Sequence, residues 1–173
     1  MAGVPDRLTL ARHRDLESRR DLLARRALVA LVGAFVLLGL LNVFGQRPSA
    51  SRAATGRAEL EVYAPERVRA GLYYMARFTI RARAEIRNAT LVLDSGWAEG
   101  ITINTVEPSP VDEGNENGRL VFELGHVPAG EKYVFFLHLQ VNPTNVGHRA
   151  QDVELRDGET TLATVERTIT IFP

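Results

Sequence analysis

The side chains able to do chemistry are few and scattered. Cysteine is absent, which removes disulfides, thiolate metal sites and a cysteine nucleophile. The four histidines stand at positions 13, 126, 138 and 148. None has a second at the i,i+2 or i,i+4 spacing with which one strand or helix presents two metal ligands. Residues 112–118 (DEGNENG) come nearest to a cation loop. Counted from Glu113, Asn115, Asn117 and Gly118 fall near the oxygen-ligand spacing of a calcium loop. Its first position is Glu rather than Asp, however, and its twelfth is Leu124, with Glu123 one place early. An acidic hairpin explains the same residues. No Gly-x-Ser-x-Gly elbow, phosphate loop or Ser, His and Asp grouping is present. Choosing two of the 21 acidic residues as an acid–base pair would be arbitrary. We therefore expect no enzymatic activity, no cofactor and no metal site.

Residues suited to binding are easier to name. Trp97, the only tryptophan, lies in residues 94–100 (DSGWAEG), between two apolar runs. It can serve as an exposed anchor for a protein or a sugar ring, or fold back to cap a core. Tyr73, Met75 and Phe136 fall on the polar phase of their alternating segments, which would leave them as an exposed apolar patch. Asn142 and Asn145, in Asn142-Pro143-Thr144-Asn145-Val146-Gly147, follow the strongest apolar alternation. Two Asn side chains, a fixed φ at Pro143 and a permissive Gly147 predict an ordered turn, either structural or a contact loop.

The elements that must carry these residues divide the chain in four. Residues 27–44 (ALVALVGAFVLLGLLNVF) contain no charge and one polar residue, Asn42. As a helix they span roughly 27 Å, near the ~30 Å hydrocarbon core of a bilayer. We assign residues 27–45 as a transmembrane helix, 1–26 as a basic cytoplasmic helical segment, 46–57 as a polar linker and 58–173 as the folded domain. The flank before the span carries six arginines within about 15 residues (positions 12, 14, 19, 20, 25 and 26), against three after it. Positive residues stay inside, so the C-terminal domain is expected outside the cytoplasm, with the span retained as a signal anchor. Cleavage at the small-x-small sequence Ser49-Ala50-Ser51 is the competing outcome. Within the span, Ala30, Gly33 and Ala34 form a small-residue face that would let a second helix approach.

From residue 58 onward the hydrophobic period becomes two. Leu60 and Val62 alternate with acids. Leu72, Tyr74, Ala76, Phe78, Ile80 and Ala82 alternate with polar or exposed types, as do Tyr133, Phe135, Leu137, Leu139 and Val141. Shorter runs lie at 89–93, 101–106, 120–124, 153–155 and 165–171. Asn117-Gly118 and Asp157-Gly158 are hairpin dipeptides, and Val127-Pro128-Ala129-Gly130 suits a type I turn. Seven or eight short strands without a helix predict an all-β domain, an Ig-like antiparallel sandwich behind a single transmembrane helix. This region carries 11 basic and 17 acidic residues, a net charge of −6, which excludes a nucleic-acid surface.

Leu120-Val121-Phe122-Glu123-Leu124-Gly125, then Val127-Pro128-Ala129-Gly130-Glu131 and the strand running to Val141, resembles the DUF11-type bacterial Ig-like repeat domains, over residues 89–141. The whole chain is similar to small actinobacterial single-pass membrane proteins of unknown function. The first resemblance implies an extracytoplasmic sandwich without catalytic residues. The resulting expectation is a membrane-anchored, non-enzymatic Ig-like domain. Its partners would be the lipid bilayer and another membrane or envelope protein, not nucleic acid or a small molecule. The competing class is a tethered module that binds cell-wall glycan or calcium.

Overall fold

The apolar run is helical, but it stops earlier than its composition suggests. In the computed structural model, which describes residues 19–43 and 45–173, helix α1 covers Arg19–Leu40. The expected cytoplasmic helix before Arg19 lies outside the described residues. No residue of α1 is buried, and its apolar window has a mean hydropathy of 2.0. At 1.5 Å per residue it is about 33 Å long. Asn42, the one polar residue of the run, ends it. Asn42 takes φ 53°, its N–H reaches Gly39 O at 3.0 Å, and Val43 N–H reaches Leu38 O at 3.1 Å. This crossed pair of bonds around a left-handed residue is a Schellman cap. The helix therefore ends at Leu40, not near 45, and enters the arginine-rich flank.

Residues 44–173 form a separate compact unit with its own core. Its strands are β1 (Pro48–Ala54), β2 (Ala58–Pro65), β3 (Arg67–Arg69), β4 (Tyr73–Ala82), β5 (Ile86–Leu93), β6 (Ile101–Glu107) and β7 (Asp112–Glu116). There follow β8 (Arg119–Val127), β9 (Lys132–Val141), β10 (Gly147–Ala150), β11 (Val153–Asp157), β12 (Thr160–Val165) and β13 (Thr168–Phe172). One five-stranded sheet has the order β1-β2-β4-β9-β6, the other β12-β11-β5-β8-β7, and a small sheet runs β10-β13-β3. The pairings in both large sheets are antiparallel, and β3 pairs with β13 in parallel. The domain is an antiparallel β-sandwich behind one apolar helix.

The alternation predicted the inner faces. Leu60, Val62, Phe78, Ile80, Leu91, Leu93, Phe135, Leu137, Leu139, Leu155 and Ile169 are fully buried. Burying each large side chain contributes about 1.5–3 kcal/mol. Phe78 packs on Phe135 with centroids 6.0 Å apart, and Phe135 on Phe122 of the facing sheet at 5.3 Å. Leu72 is exposed despite its phase, because it precedes the first rung of β4.

Residues 46–57 are not a linker. Strand β1 pairs with β2 from Pro48↔Pro65 to Ala54↔Glu59. This edge strand turns only small side chains inward, the half-buried Ser49, Ser51 and Ala53, so its composition resembles that of a loop. Two charges fasten it. Arg52 pairs with Glu61 across the ladder at 2.7 Å. Buried Arg167 donates to Ser51 Oγ and to the carbonyls of Val62, Ala64 and Pro65. Desolvation lowers the Arg167 pKa, and the carbonyls supply the acceptors that its buried charge requires.

Two turns sit one residue away from their expected register. In the β11–β12 hairpin Asp157 pairs with Thr160, so the loop is Gly158-Glu159, with Gly158 at φ 58°. Asp157 is a strand residue whose carboxylate accepts the Arg87 and Asn88 N–H groups and pairs with Arg57. In residues 128–131, Glu131 N–H closes on Pro128 O, which puts Gly130 third in the turn with φ 84°. A positive φ at that position is the type II geometry rather than type I.

Candidate interaction surface

The outer faces of the two large sheets differ in kind. On the second sheet a charged lattice closes the surface. Arg156 pairs with Glu154 at 2.8 Å and with Glu116 at 3.0 Å. Arg119 bridges Glu154 and Asp94, each at 3.1 Å, and Thr161 donates to Glu154. The hydrogen bond from Arg156, aided by those from Thr161 and Arg119, holds the Glu154 carboxyl down at about 2 against the opposing effect of burial. In the ladder Val92 lies opposite Glu154 and Thr90 opposite Arg156. Both are buried beneath this cover although they point away from the core.

On the first sheet the cover is partial: Thr79, on the outer face of β4, is buried, whereas the end that carries Tyr73 and Met75 is exposed. Strands β4 and β9 set Tyr73 opposite Gln140, Met75 opposite His138 and Arg77 opposite Phe136. Tyr73 is 65% exposed and Met75 43%, while Phe136 is half-buried. On the flank towards β2, the Arg77 guanidinium lies 4.9 Å over the Tyr63 ring and 3.5 Å from Glu61, which also holds Arg52. The result is an apolar and aromatic strip bordered by an Arg–Glu–Arg row. The sequence placed Tyr73, Met75 and Phe136 on this face through their phase alone.

The other candidate residues go elsewhere. Trp97 is fully buried, so it is not a contact residue. The single turn of 3-10 helix at Ser95–Trp97 directs its ring onto Phe78, centroids 5.4 Å apart. That turn fits because residue 96 is glycine: a Cβ there would stand 2.0 Å from Ala150 O. Asn145 is likewise buried and structural. Its Nδ2 donates to Glu99 O and Gly100 O, and its Oδ1 accepts from Arg149, all at 3.0 Å. Asn142 is exposed, and its Oδ1 accepts from Thr102. Tyr73 and Asn142 are thus the contact candidates that remain on the surface. Ala30, Gly33 and Ala34 lie on α1, where a Cβ at Gly33 would meet nothing within 4 Å.

Residues 112–118 form strand β7 and the turn into β8, and one of the oxygens expected for calcium, Asn115 Oδ1, serves the turn itself. Asn115 Oδ1 accepts Gly118 N–H and Asp112 Oδ1 accepts Glu113 N–H. Among the described residues no three His, Asp or Glu side chains are grouped to hold a metal. A cleft of about 480 Å³ opens between β6 and β7, lined by Ile103, Val106, Glu113, Leu120 and Phe122. It was not foreseen, since it opens between the edge strands of two different sheets.

No family model matches the chain, and no curated protein matches it. A solved structure to which it is similar is the chitin-binding domain of a chitinase from Pyrococcus furiosus. That domain is 16% identical, with the match covering 66% of this chain and 99% of that one at a TM-score of 0.38. A likeness of that extent carries nothing about what this chain binds.

Proposed function

We propose that the chain is a membrane-anchored, non-enzymatic β-sandwich protein whose domain, outside the cytoplasm, binds another membrane or envelope protein through the outer face of its first sheet. The observation that supports this reading is the contrast between the two sheets. Ion pairs cover one outer face, whereas the other presents Tyr73, Met75 and Phe136 beside an Arg–Glu–Arg row. Exposed apolar centres with charged rims are characteristic of protein-binding surfaces. A glycan site is less well supported, because burial of Trp97 removes the ring best suited to stack on a sugar. The calcium alternative is less well supported, because Asn115 Oδ1 is taken by the Gly118 N–H of the turn.

A photo-cross-linking residue in place of Met75 in the full chain, expressed in its own cells, tests the reading. Adducts to a membrane or envelope protein are expected from position 75 and not from position 164 on the opposite sheet. They should disappear when Tyr73→Ser and Phe136→Ser are added. Equal adducts from both positions, or none, would refute it. Retention on insoluble wall glycan that Tyr73→Ala abolishes would favour the glycan reading instead.

A further inference from the structure

The two long sides of the sandwich are finished differently. On one side edge strand β12 packs against β1 and β2. On the other, edge strands β6 and β7 belong to different sheets and stand apart around the cleft. Strand β6 pairs only with β9, and β7 only with β8, so each has an outer edge whose backbone N–H and C=O groups lack a ladder partner. The cleft reaches the core: Ile103, Val106 and Leu120 are half-buried and pack against it, and Phe122 is buried. Ile103 and Val106 both line it, although they stand three apart on one strand, because the ladder shifts register between Ile103 and Thr105. The bulge at Asn104 thus turns both side chains to the inner face. From β7, Glu113 lies opposite Phe122 and also lines the cleft. Glu107 and Asp112 adjoin Val106 and Glu113 in sequence. Among the described residues these three carboxylates are exposed and none has an ion-pair partner.

Sheet edges are commonly blunted by lysine, proline or a covering segment, because a bare edge recruits other strands. Strand β6 contains no lysine or proline, and its bulge, which in other edges serves as protection, here opens an apolar slot beside the free backbone. We propose that an extended segment of another protein adds to the free edge of β6, lays alternate apolar side chains into the cleft and sets a lysine or arginine against Glu113. In such additions main-chain bonds supply affinity, and pockets for alternate side chains supply the choice of sequence. The unpaired acids favour a basic segment. A small ligand would use the slot and leave the strand edge bare. A second copy offering its own β6 or β7 would bring no cation, since β6 has none and β7 (DEGNE) holds three acids. The site is separate from the outer face of the first sheet, and its partner is defined by backbone and charge rather than by an aromatic strip.

Random linear peptides displayed on phage, selected against the full chain in lipid nanodiscs, test the proposal. The enriched sequences should alternate apolar and polar residues and carry Lys or Arg. Glu113→Lys should weaken the synthetic form of the best peptide about tenfold without shifting the melting temperature, and exchanging the peptide's cation for Glu should restore binding to that variant. Methylating one alternate set of peptide amides should abolish binding and methylating the other should spare it, since only every second residue of an added strand turns its N–H to the neighbour. This arm changes nothing in the protein, so it decides even if a variant folds poorly. Bound peptide should slow hydrogen exchange at the amides of β6. A selection without the alternating basic pattern refutes the proposal, as does binding that tolerates both methylated sets or Glu113→Lys, or that slows exchange at β4 and not at β6. Protection of β6 without peptide, in particles that hold two copies, overturns it in favour of pairing between copies.

Discussion

Asn145 ties three segments together: its own turn, the backbone at Glu99 and Gly100, and Arg149. Removing a buried partner leaves those groups unsatisfied, which costs about 1–3 kcal/mol. Asn145→Ala in the domain of residues 45–173 should therefore lower the urea midpoint clearly. Asn142→Ala, at an exposed position, should stay within about 0.5 kcal/mol of the parent; equal effects would show that the turn is not held through Asn145. Glu154 gives a pH signature. Its carboxyl sits at about 2 in the folded domain, below the ordinary value of 4.5, chiefly because Arg156 hydrogen-bonds it. The carboxylate thus stabilises the fold above pH 4.5, and that contribution is lost as pH falls from 4.5 towards 2. Glu154→Gln should flatten the stability profile in that window, and a profile parallel to the parent's would contradict the assignment. Neither role was legible in the sequence, because the partners lie across strands and loops. Type alone marks Asn as a turn residue and Glu as a surface one.

Strand β1 sets the limits of the domain. Its ladder to β2, the Arg52–Glu61 pair and the Arg167 bond to Ser51 are all lost if the chain begins at residue 58. A domain of residues 58–173 should melt at least about 5 °C below one of residues 45–173, the shift expected for a loss of ~2 kcal/mol in a domain of this size. Equal melting temperatures by circular dichroism would make β1 a passive extension. The other element-scale differences share a physical origin. Periodicity reveals strands that bury one face, so β4, β8 and β9 stood out. Strands β1, β3, β7 and β10 lie at edges or in the small sheet, bury little, and leave no apolar alternation to read. The dipeptide Asp157-Gly158 marked the correct hairpin. Its register followed from the ladder and from the capture of the Arg87 and Asn88 N–H groups by Asp157.

At the scale of the whole chain, the imbalance of arginines around α1 predicts its direction. Alkaline phosphatase fused after Pro173 should be active and a fluorescent protein that folds only in the cytoplasm should stay dark there. The reverse pattern would invert the proposed topology and remove the envelope partner. The sequence by itself determined a helix of continuous apolar residues, an all-β domain and the inner faces of its main strands. Each of these follows from local spacing, which needs no knowledge of the partner strand. Only the tertiary structure decided that Trp97 belongs to the core, that Asn145 is a brace and that residues 48–54 complete a sheet. It also decided that ion pairs cover one sheet face while the other leaves Tyr73 and Met75 exposed. These depend on which side chains meet across the sandwich, and residues as far apart as Arg167 and Val62 are brought together by topology rather than by any pattern along the chain.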